Sequence, residues 1–346
     1  MKRLVLCCDG TWNTPDKTEE GVPLATNVVK VAEAVAPRDS KQVEQRLYYN
    51  AGVGTAGSWL DRVFDGATGT GLSRNLLDAY GFLVQNYEVG DELFLFGFSR
   101  GAFTIRSLAG FVRKCGILHA RYAELATRAY ELYRARGSAS HPRGREATLF
   151  RRTYSVAEET PIRFIGVWDT VGSLGNPLWL NSWLSRRNRF HDLNLSSSVE
   201  NAFQALAIDE KRRHFKAALW NQQDGAAEKG QTLEQVWFVG VHSNVGGGYP
   251  SCGLSDISLQ WMVNKAMSCG LGIDRIQMNP LANDRVEESR KGAYWLVPPW
   301  YRPIDHPGEG KITRESLHET VHQRFNACPK YRPKNLLAYF ARRNGS

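Results

Sequence analysis

Residues 93–101 read Leu93-Phe94-Leu95-Phe96-Gly97-Phe98-Ser99-Arg100-Gly101. Four bulky apolar residues in a row, opened by Glu92, fit a buried β-strand (Glu92 to Phe96). Beyond the stretch, Ile105, Leu108, Ala109 and Val112 recur at i, i+3, i+4 and i+7, the spacing of a helix with one buried face. Between strand and helix stands Gly97-x-Ser99-x-Gly101. That order of strand, tight turn and helix is what a nucleophile elbow requires. The serine sits on a strained turn with its hydroxyl raised above the strand end. Glycines on either side leave room for the adjoining strand and helix, and the helix N-terminus favours negative charge developing nearby.

Further out, the pattern repeats. Arg3 to Cys8 is an apolar run closed by Asp9-Gly10-Thr11, and Asn27 to Val35 has helical spacing. Arg46 to Asn50 reads as a strand before a glycine-rich loop, Gly52 to Gly57, and Leu72 to Tyr87 as an amphipathic helix. Ile162 to Trp168 and Val236 to Val241 are further strands. Buried strands alternating with helices predict an α/β fold: a mostly parallel sheet with helices on both faces and a helical or irregular cap. There is no internal repeat and no low-complexity tract. Residues 1–346 are expected to form one domain. Cap-like insertions would lie at about 119–160, which is helical and rich in arginine, and at 176–230, with a less regular C-terminal region at about 271–346.

A serine nucleophile needs a base, and the base needs an orienting carboxylate. Asp169 ends the strand Phe164-Ile165-Gly166-Val167-Trp168, and His242 ends Val236-Trp237-Phe238-Val239-Gly240-Val241. The chain order serine, acid, histidine, with each residue at a strand's carboxyl end, makes Ser99, Asp169 and His242 the candidate triad. An oxyanion hole needs two backbone amides. Arg100, the residue after the nucleophile, supplies one, and the loop after the neighbouring strand, at Gly10 or Thr11, supplies the other. His191, His214, His306, His318 and His322 lie on polar or helical stretches and are expected on solvated faces. Asn244-Val245-Gly246-Gly247-Gly248-Tyr249 reads as a close-packed loop that positions His242. Gly225 to Thr232 resembles a phosphate loop but carries Gln231 where a lysine is required. Asp9, Asp169 and His242 together are a weaker metal-site alternative. The expectation is no cofactor and no metal.

Composition bounds the remaining choices. Of 346 residues, 42% are hydrophobic and 23% charged, which excludes a disordered chain. Lys plus Arg number 44 against 35 Asp plus Glu, a net charge of +9 that admits anionic partners: a phosphate-bearing substrate, an anionic membrane surface or, less favoured, nucleic acid. None of the six cysteines forms a C-x-x-C pair, which argues for reduced thiols and a cytoplasmic site of synthesis. The run Leu4 to Cys8 is shorter than the roughly 7 residues of a minimal signal-peptide core. No stretch reaches the roughly 18 apolar residues of a membrane span. A soluble protein without a signal peptide is expected, with signal-independent export open to it.

Six segments together resemble a known family. They are Cys8-Asp9-Gly10-Thr11-Trp12-Asn13, Tyr48-Tyr49-Asn50-Ala51-Gly52-Val53-Gly54-Thr55, Gly97-Phe98-Ser99-Arg100-Gly101-Ala102, Gly166-Val167-Trp168-Asp169-Thr170-Val171-Gly172, Ala205-Leu206-Ala207-Ile208-Asp209-Glu210 and Trp237-Phe238-Val239-Gly240-Val241-His242-Ser243. The family is the bacterial and fungal α/β-hydrolases that include the catalytic domains of type VI secretion phospholipase effectors. The resemblance implies an α/β-hydrolase fold and a serine esterase of lipids or phospholipids, acting through Ser99, Asp169 and His242 by way of an acyl-enzyme. Asn50 and Asn244 depart from it, standing where the family more usually shows aspartate. Pro177 to Leu184 and Tyr294 to Tyr301 are apolar and aromatic, with Arg186, Arg187 and Arg189 after the first. They suit a lid or acyl-chain pocket at a headgroup boundary. Two other readings remain: an inactive hydrolase scaffold that binds anionic partners, and a metal-dependent phosphoester hydrolase.

Overall fold

The computed structural model describes residues 1–10, 18–19, 21–52, 70–171, 193–290, 295, 297–306, 308 and 310–344. A sheet of seven parallel strands runs through them: β1 (Arg3–Cys8), β2 (Gln45–Asn50), β3 (Glu92–Phe98), β4 (Phe164–Trp168), β5 (Asn201–Ala207), β6 (Thr232–Phe238) and β7 (Glu315–Leu317). Their spatial order is β2-β1-β3-β4-β5-β6-β7. Every residue of β1 and β4 is buried, as covering on both faces demands, whereas the edge strand β2 exposes Arg46 and Leu47.

The period of two in β3 divides the core. Leu93 and Leu95 join Leu4 and Leu6 on one face, beneath α2 (Thr70–Asn86) and α3 (Arg100–Cys115). Phe94, Phe96 and Phe98 join Val5 and Cys7 on the other, beneath α1 (Asn27–Ala34) and a later helix, α7 (Gly253–Ser268). The expected buried positions of α3 (Ile105, Leu108, Ala109 and Val112) all lie in the first of these cores. The arginine-rich segment forms α4 (Ala126–Arg134) and α5 (Arg145–Tyr154), whose Ala129, Leu132 and Phe150 extend that core.

Three expectations change. Residues 176–230 are not purely an insertion, because β5 lies within them and pairs with β4 and β6. The stretch Asn-Ala-Phe-Gln-Ala-Leu-Ala has few β-branched residues and a polar Gln204 at its centre, so it carries little strand signal. The C-terminal region supplies β7 and two helices, α8 (Glu319–Ala327) and α9 (Lys334–Asn344). The last long strand runs Thr232–Phe238, so His242 opens a short helix, α6 (His242–Gly246), rather than ending the strand. Residues 177–184, with Arg186, Arg187 and Arg189, lie outside the described residues. Among the described residues, no helix is long and apolar enough to cross a membrane.

Candidate active site

The elbow is built by close approach. Ser99 has φ 57° and ψ −117°, a region that non-glycine residues occupy at a cost of about 1–3 kcal/mol. Its amide donates to the Trp168 carbonyl at 3.1 Å, which fixes the turn to the end of β4. A Cβ on Gly101 would stand 2.0 Å from the Cys8 carbonyl oxygen, so only glycine lets α3 start this close to β1. The serine is half-buried at the N-terminus of α3.

Asp169 follows the next strand end. Phe98 is paired with Trp168, which places Ser99 and Asp169 on adjoining strand termini at the carboxyl edge of the sheet. Asp169 also has positive φ, 41°, and is completely buried. Its Oδ2 lies 2.5 Å from His242 Nδ1. Its Oδ1 accepts from the Ala207 amide at 3.0 Å, and Arg302 spans both oxygens, Nη1 to Oδ1 at 2.5 Å and Nη2 to Oδ2 at 3.0 Å. Burial opposes ionisation of this carboxyl. The Arg302 guanidinium, followed by His242, outweighs burial and holds it well below the usual carboxylate range. An ionised Asp169 accepts from Nδ1–H and leaves His242 Nε2 as the basic nitrogen.

His242 is enclosed from several sides. Phe98, the residue before the nucleophile, places its ring 4.6 Å from the imidazole, and Phe215 meets it edge-on at 5.0 Å. The His242 amide donates to Glu210 Oε2 at 3.3 Å. Burial raises the Glu210 pKa, but hydrogen bonds from Arg212 overcome it and lower the carboxyl overall. After the histidine, a Cβ on Gly246 would sit 2.0 Å from the Phe98 ring, so this glycine is set by contact with the elbow strand. Asn27 Nδ2 donates to the Val245 carbonyl at 2.9 Å and ties α6 to α1. Asn244 Oδ1 accepts from the Val241 amide at 3.3 Å and the Glu287 amide at 3.0 Å. Asn50 Oδ1 accepts from the Gly52 amide at 2.9 Å.

Asp169 and His242 thus touch, and Ser99 stands beside them through β3 and Phe98. Among the described residues no hydrogen bond joins the Ser99 hydroxyl to His242, a contact that in free enzymes often tightens only when substrate binds. Arg100 opens α3, with its amide at the free end of the helix. Gly10 differs from expectation, since its amide donates to Asp9 Oδ1 at 2.6 Å. Thr11 lies outside the described residues. Asp9 also accepts from Thr26 Oγ1 at 2.5 Å and from the Tyr49 hydroxyl at 3.2 Å. Among the described residues no three His, Cys, Asp or Glu side chains are grouped to hold an ion. His318, expected on a solvated face, instead caps α8 and stacks on Phe238 at 4.6 Å.

Arg302 is the site residue that the sequence reading missed. It is 1% exposed, donates to the Ala207 carbonyl at 3.0 Å and to the Phe215 carbonyl, and follows Trp300-Tyr301 in a stretch read as a lid. A lone arginine far along the chain has no spacing signal. Its one mark is an aromatic and proline-rich setting unusual for a solvated cation.

Against known proteins, residues 2–265 match the family described as "T6SS, Phospholipase effector Tle1-like, catalytic domain". The uncharacterized protein YEL023C of Saccharomyces cerevisiae is 30% identical over 233 residues, 62% of this chain and 32% of the yeast protein. The chain therefore spans about a third of that relative's length. The crystal structure of an uncharacterized protein from Pseudomonas aeruginosa aligns with a TM-score of 0.47 at 18% identity, over 84% of this chain and 48% of that one. The Tle1 effector, solved bound to the VgrG spike of the type VI secretion system, aligns with a TM-score of 0.45 at 19% identity, over 72% of this chain and 51% of its own. The family match runs from β1 into α7 and takes in Ser99, Asp169 and His242; the chain belongs to the Tle1-like family of phospholipase effector catalytic domains.

Proposed function

We propose that this protein is a serine hydrolase that cleaves a carboxylic ester of a lipid or phospholipid through an acyl-enzyme. The observation that carries the reading is the 2.5 Å contact between Asp169 and His242, set beside a serine held at positive φ on the adjoining strand end. In this mechanism His242 Nε2 takes the Ser99 proton as Oγ attacks the ester carbonyl. The tetrahedral oxyanion is met by the Arg100 amide and by a second amide from the Gly10–Thr11 loop. His242 then returns the proton to the leaving alcohol, and a water repeats the sequence on the acyl-enzyme. Asp169 keeps the imidazole in the required tautomer and stabilises the imidazolium. Arg302 keeps Asp169 charged. The chain acts as one hydrolase unit, with parts of 176–230 and 271–346 forming the cap; 119–160 packs instead at the far end of α3, where Arg151 donates to the Lys114 carbonyl.

The family supports a lipid substrate, and Trp295 agrees with it. This side chain is 65% exposed and has the Arg290 guanidinium 5.0 Å from its ring, an aromatic and cationic pairing suited to a headgroup boundary. The test is hydrolysis of short p-nitrophenyl esters and of mixed phospholipids by wild type and Ser99→Ala, with the lipid products profiled. Loss of both activities in a folded Ser99→Ala protein supports the reading. Undiminished turnover contradicts it, and turnover abolished by chelator without dependence on Ser99 points to metal-dependent hydrolysis instead.

A further inference from the structure

The turn that delivers His242 is tied at each residue between β6 and α6. Gly240 donates its amide to Asp209 Oδ2 at 2.7 Å, Val241 to Asn244 Oδ1 at 3.3 Å and His242 to Glu210 Oε2 at 3.3 Å. Asp209 and Glu210 follow β5, the strand paired with β6, and the Tyr331 hydroxyl donates to Asp209 at 2.9 Å. Of these three acceptors, Glu210 is the one that binds the histidine itself.

Glu210 also reaches the histidine by a second route. Its side chain is buried, and Oε1 accepts from the Arg212 amide at 2.8 Å and from Arg212 Nε at 2.9 Å. Oε2 accepts from Arg212 Nη2 at 2.8 Å as well as from the His242 amide. A carboxylate offers acceptors alone, whereas a carboxamide would turn its NH2 group against donors. Arg212, so fixed, lies over the Phe215 ring at 3.5 Å, and the edge of that ring meets the imidazole at 5.0 Å. Arg302 Nε donates to the Phe215 carbonyl at 3.1 Å, so both arginines hold the residue that flanks His242.

The charged groups about the histidine come in pairs. Asp169 touches Nδ1 and is paired with Arg302; Glu210 touches the amide and is paired with Arg212. In both pairs a carboxylate oxygen is the atom in contact with the histidine. On the elbow, Arg100 stays cationic, although burial draws its pKa down to about 10. Lys216, beside Phe215 in the chain, is turned to the Trp300 ring. Tyr249 lies in the field of Arg212, Glu210 and Glu287, and burial keeps it neutral. Taking the Ser99 proton makes the imidazole a cation, and negative charge fixed in advance beside it favours that change.

We propose that Glu210 is a positioning residue for the general base: it holds His242 at the backbone and, through Arg212 and Phe215, at the ring, and its charge favours the imidazolium. This role rests on the reading of Ser99 as nucleophile and His242 as base, and adds an acid outside the triad. His242 Nε2 takes the Ser99 proton and returns it to the leaving alcohol, while Glu210 neither gains nor loses one.

The experiment compares wild type, Glu210→Gln and Glu210→Asp in the pH dependence of kcat and KM on a soluble p-nitrophenyl ester, with thermal unfolding as the check of fold. In parallel, the His242 Cε1 resonance is followed against pH by NMR of histidine-labelled Ser99→Ala protein, with and without each change, and is assigned by its loss in His242→Gln. Glu210→Gln is expected to lower kcat about tenfold or more with KM nearly constant. Losing a negative charge disfavours the protonated imidazole, so the acid limb of kcat/KM and the resonance midpoint should both move to lower pH, by about 0.5 or more. Glu210→Asp keeps the charge and shortens the reach, so kcat should fall severalfold with limb and midpoint where wild type has them. A limb and midpoint unmoved in Glu210→Gln overturn the proposal even if kcat or stability falls, because a merely structural carboxylate gives that result. Should Glu210→Gln not fold, a wild-type kcat in Glu210→Asp overturns it. Undiminished hydrolysis by Ser99→Ala refutes the nucleophile instead, and the resonance midpoint, which needs no turnover, still decides whether Glu210 acts on His242.

Discussion

At the N-terminal end of α3, Asp169 is buried between Arg302 and His242, and its negative charge meets positive charge supplied by the fold. Further along the same helix Arg106 and Lys114 are also buried, and carbonyl oxygens accept from both, Ala218 from Arg106 and Tyr133 and Ala135 from Lys114. The first arrangement completes itself. It fixes a histidine tautomer and presents a strained serine to solvent, as a reaction needs. The second ties α3 to β5 and to the end of α4, as a scaffold needs. One helix therefore joins a candidate reactive site to a structural anchor, and substitutions at the two should differ in kind.

The largest effect is expected at the candidate reactive site. Ser99→Ala should lower ester hydrolysis by about 10³-fold or more, measured as kcat/KM on a soluble ester, with thermal unfolding little changed. Next is Arg302→Gln. Removing one partner of a buried ion pair strands the other charge at a cost of about 3–5 kcal/mol, read from denaturant unfolding at neutral pH. Its pH dependence has a defined sign. The Asp169 pKa is depressed in the folded protein, so its stabilisation is present above the unfolded value of about 3.9 and is lost as pH falls toward the folded one. The gap in stability between wild type and Arg302→Gln should narrow below about pH 4. A gap that stays constant from pH 7 to pH 3 would show that Arg302 acts through packing alone. Gly246→Ala comes third. A methyl 2.0 Å from the Phe98 ring must displace the ring that flanks His242, costing about 1–3 kcal/mol and lowering activity through the shifted imidazole. Asn244→Asp should have the smallest effect. The Asn244 oxygen already accepts two amide hydrogen bonds that a carboxylate would also accept, which offsets the loss of the long 3.5 Å bond from Nδ2 to the Arg285 carbonyl and the burial of charge, so a loss of about 1 kcal/mol is expected from unfolding curves.

The two ends of α3 were not equally visible in the sequence. The elbow was legible because strand, glycine turn and helix each leave a local mark between Glu92 and Val112, and Asp169 could be placed because it ends an apolar strand. His242 was found through the strand before it, although Gly240 and Val241 lead into a short helix and not a strand terminus. β5 escaped because Gln204 breaks its apolar run. That glutamine is buried on Arg106, Thr170 and the Ala218 carbonyl, partners brought together only by folding. Arg302 and the partners of Arg106 and Lys114 were hidden for the same reason. Arg302 lies 133 residues from Asp169, and Arg106 and Lys114 look in sequence like ordinary charged positions on a helix. The net charge of +9 hinted at anionic partners without locating them.

The central claim is that Ser99 is a nucleophile activated by the Asp169–His242 pair. Its most direct test is labelling of the native protein with a fluorophosphonate probe, followed by peptide mass spectrometry, in wild type and in Ser99→Ala. The account predicts a single covalent adduct on Ser99 in wild type and none in Ser99→Ala. An unlabelled wild-type protein that still hydrolyses esters, or an adduct of equal yield in Ser99→Ala, would contradict it.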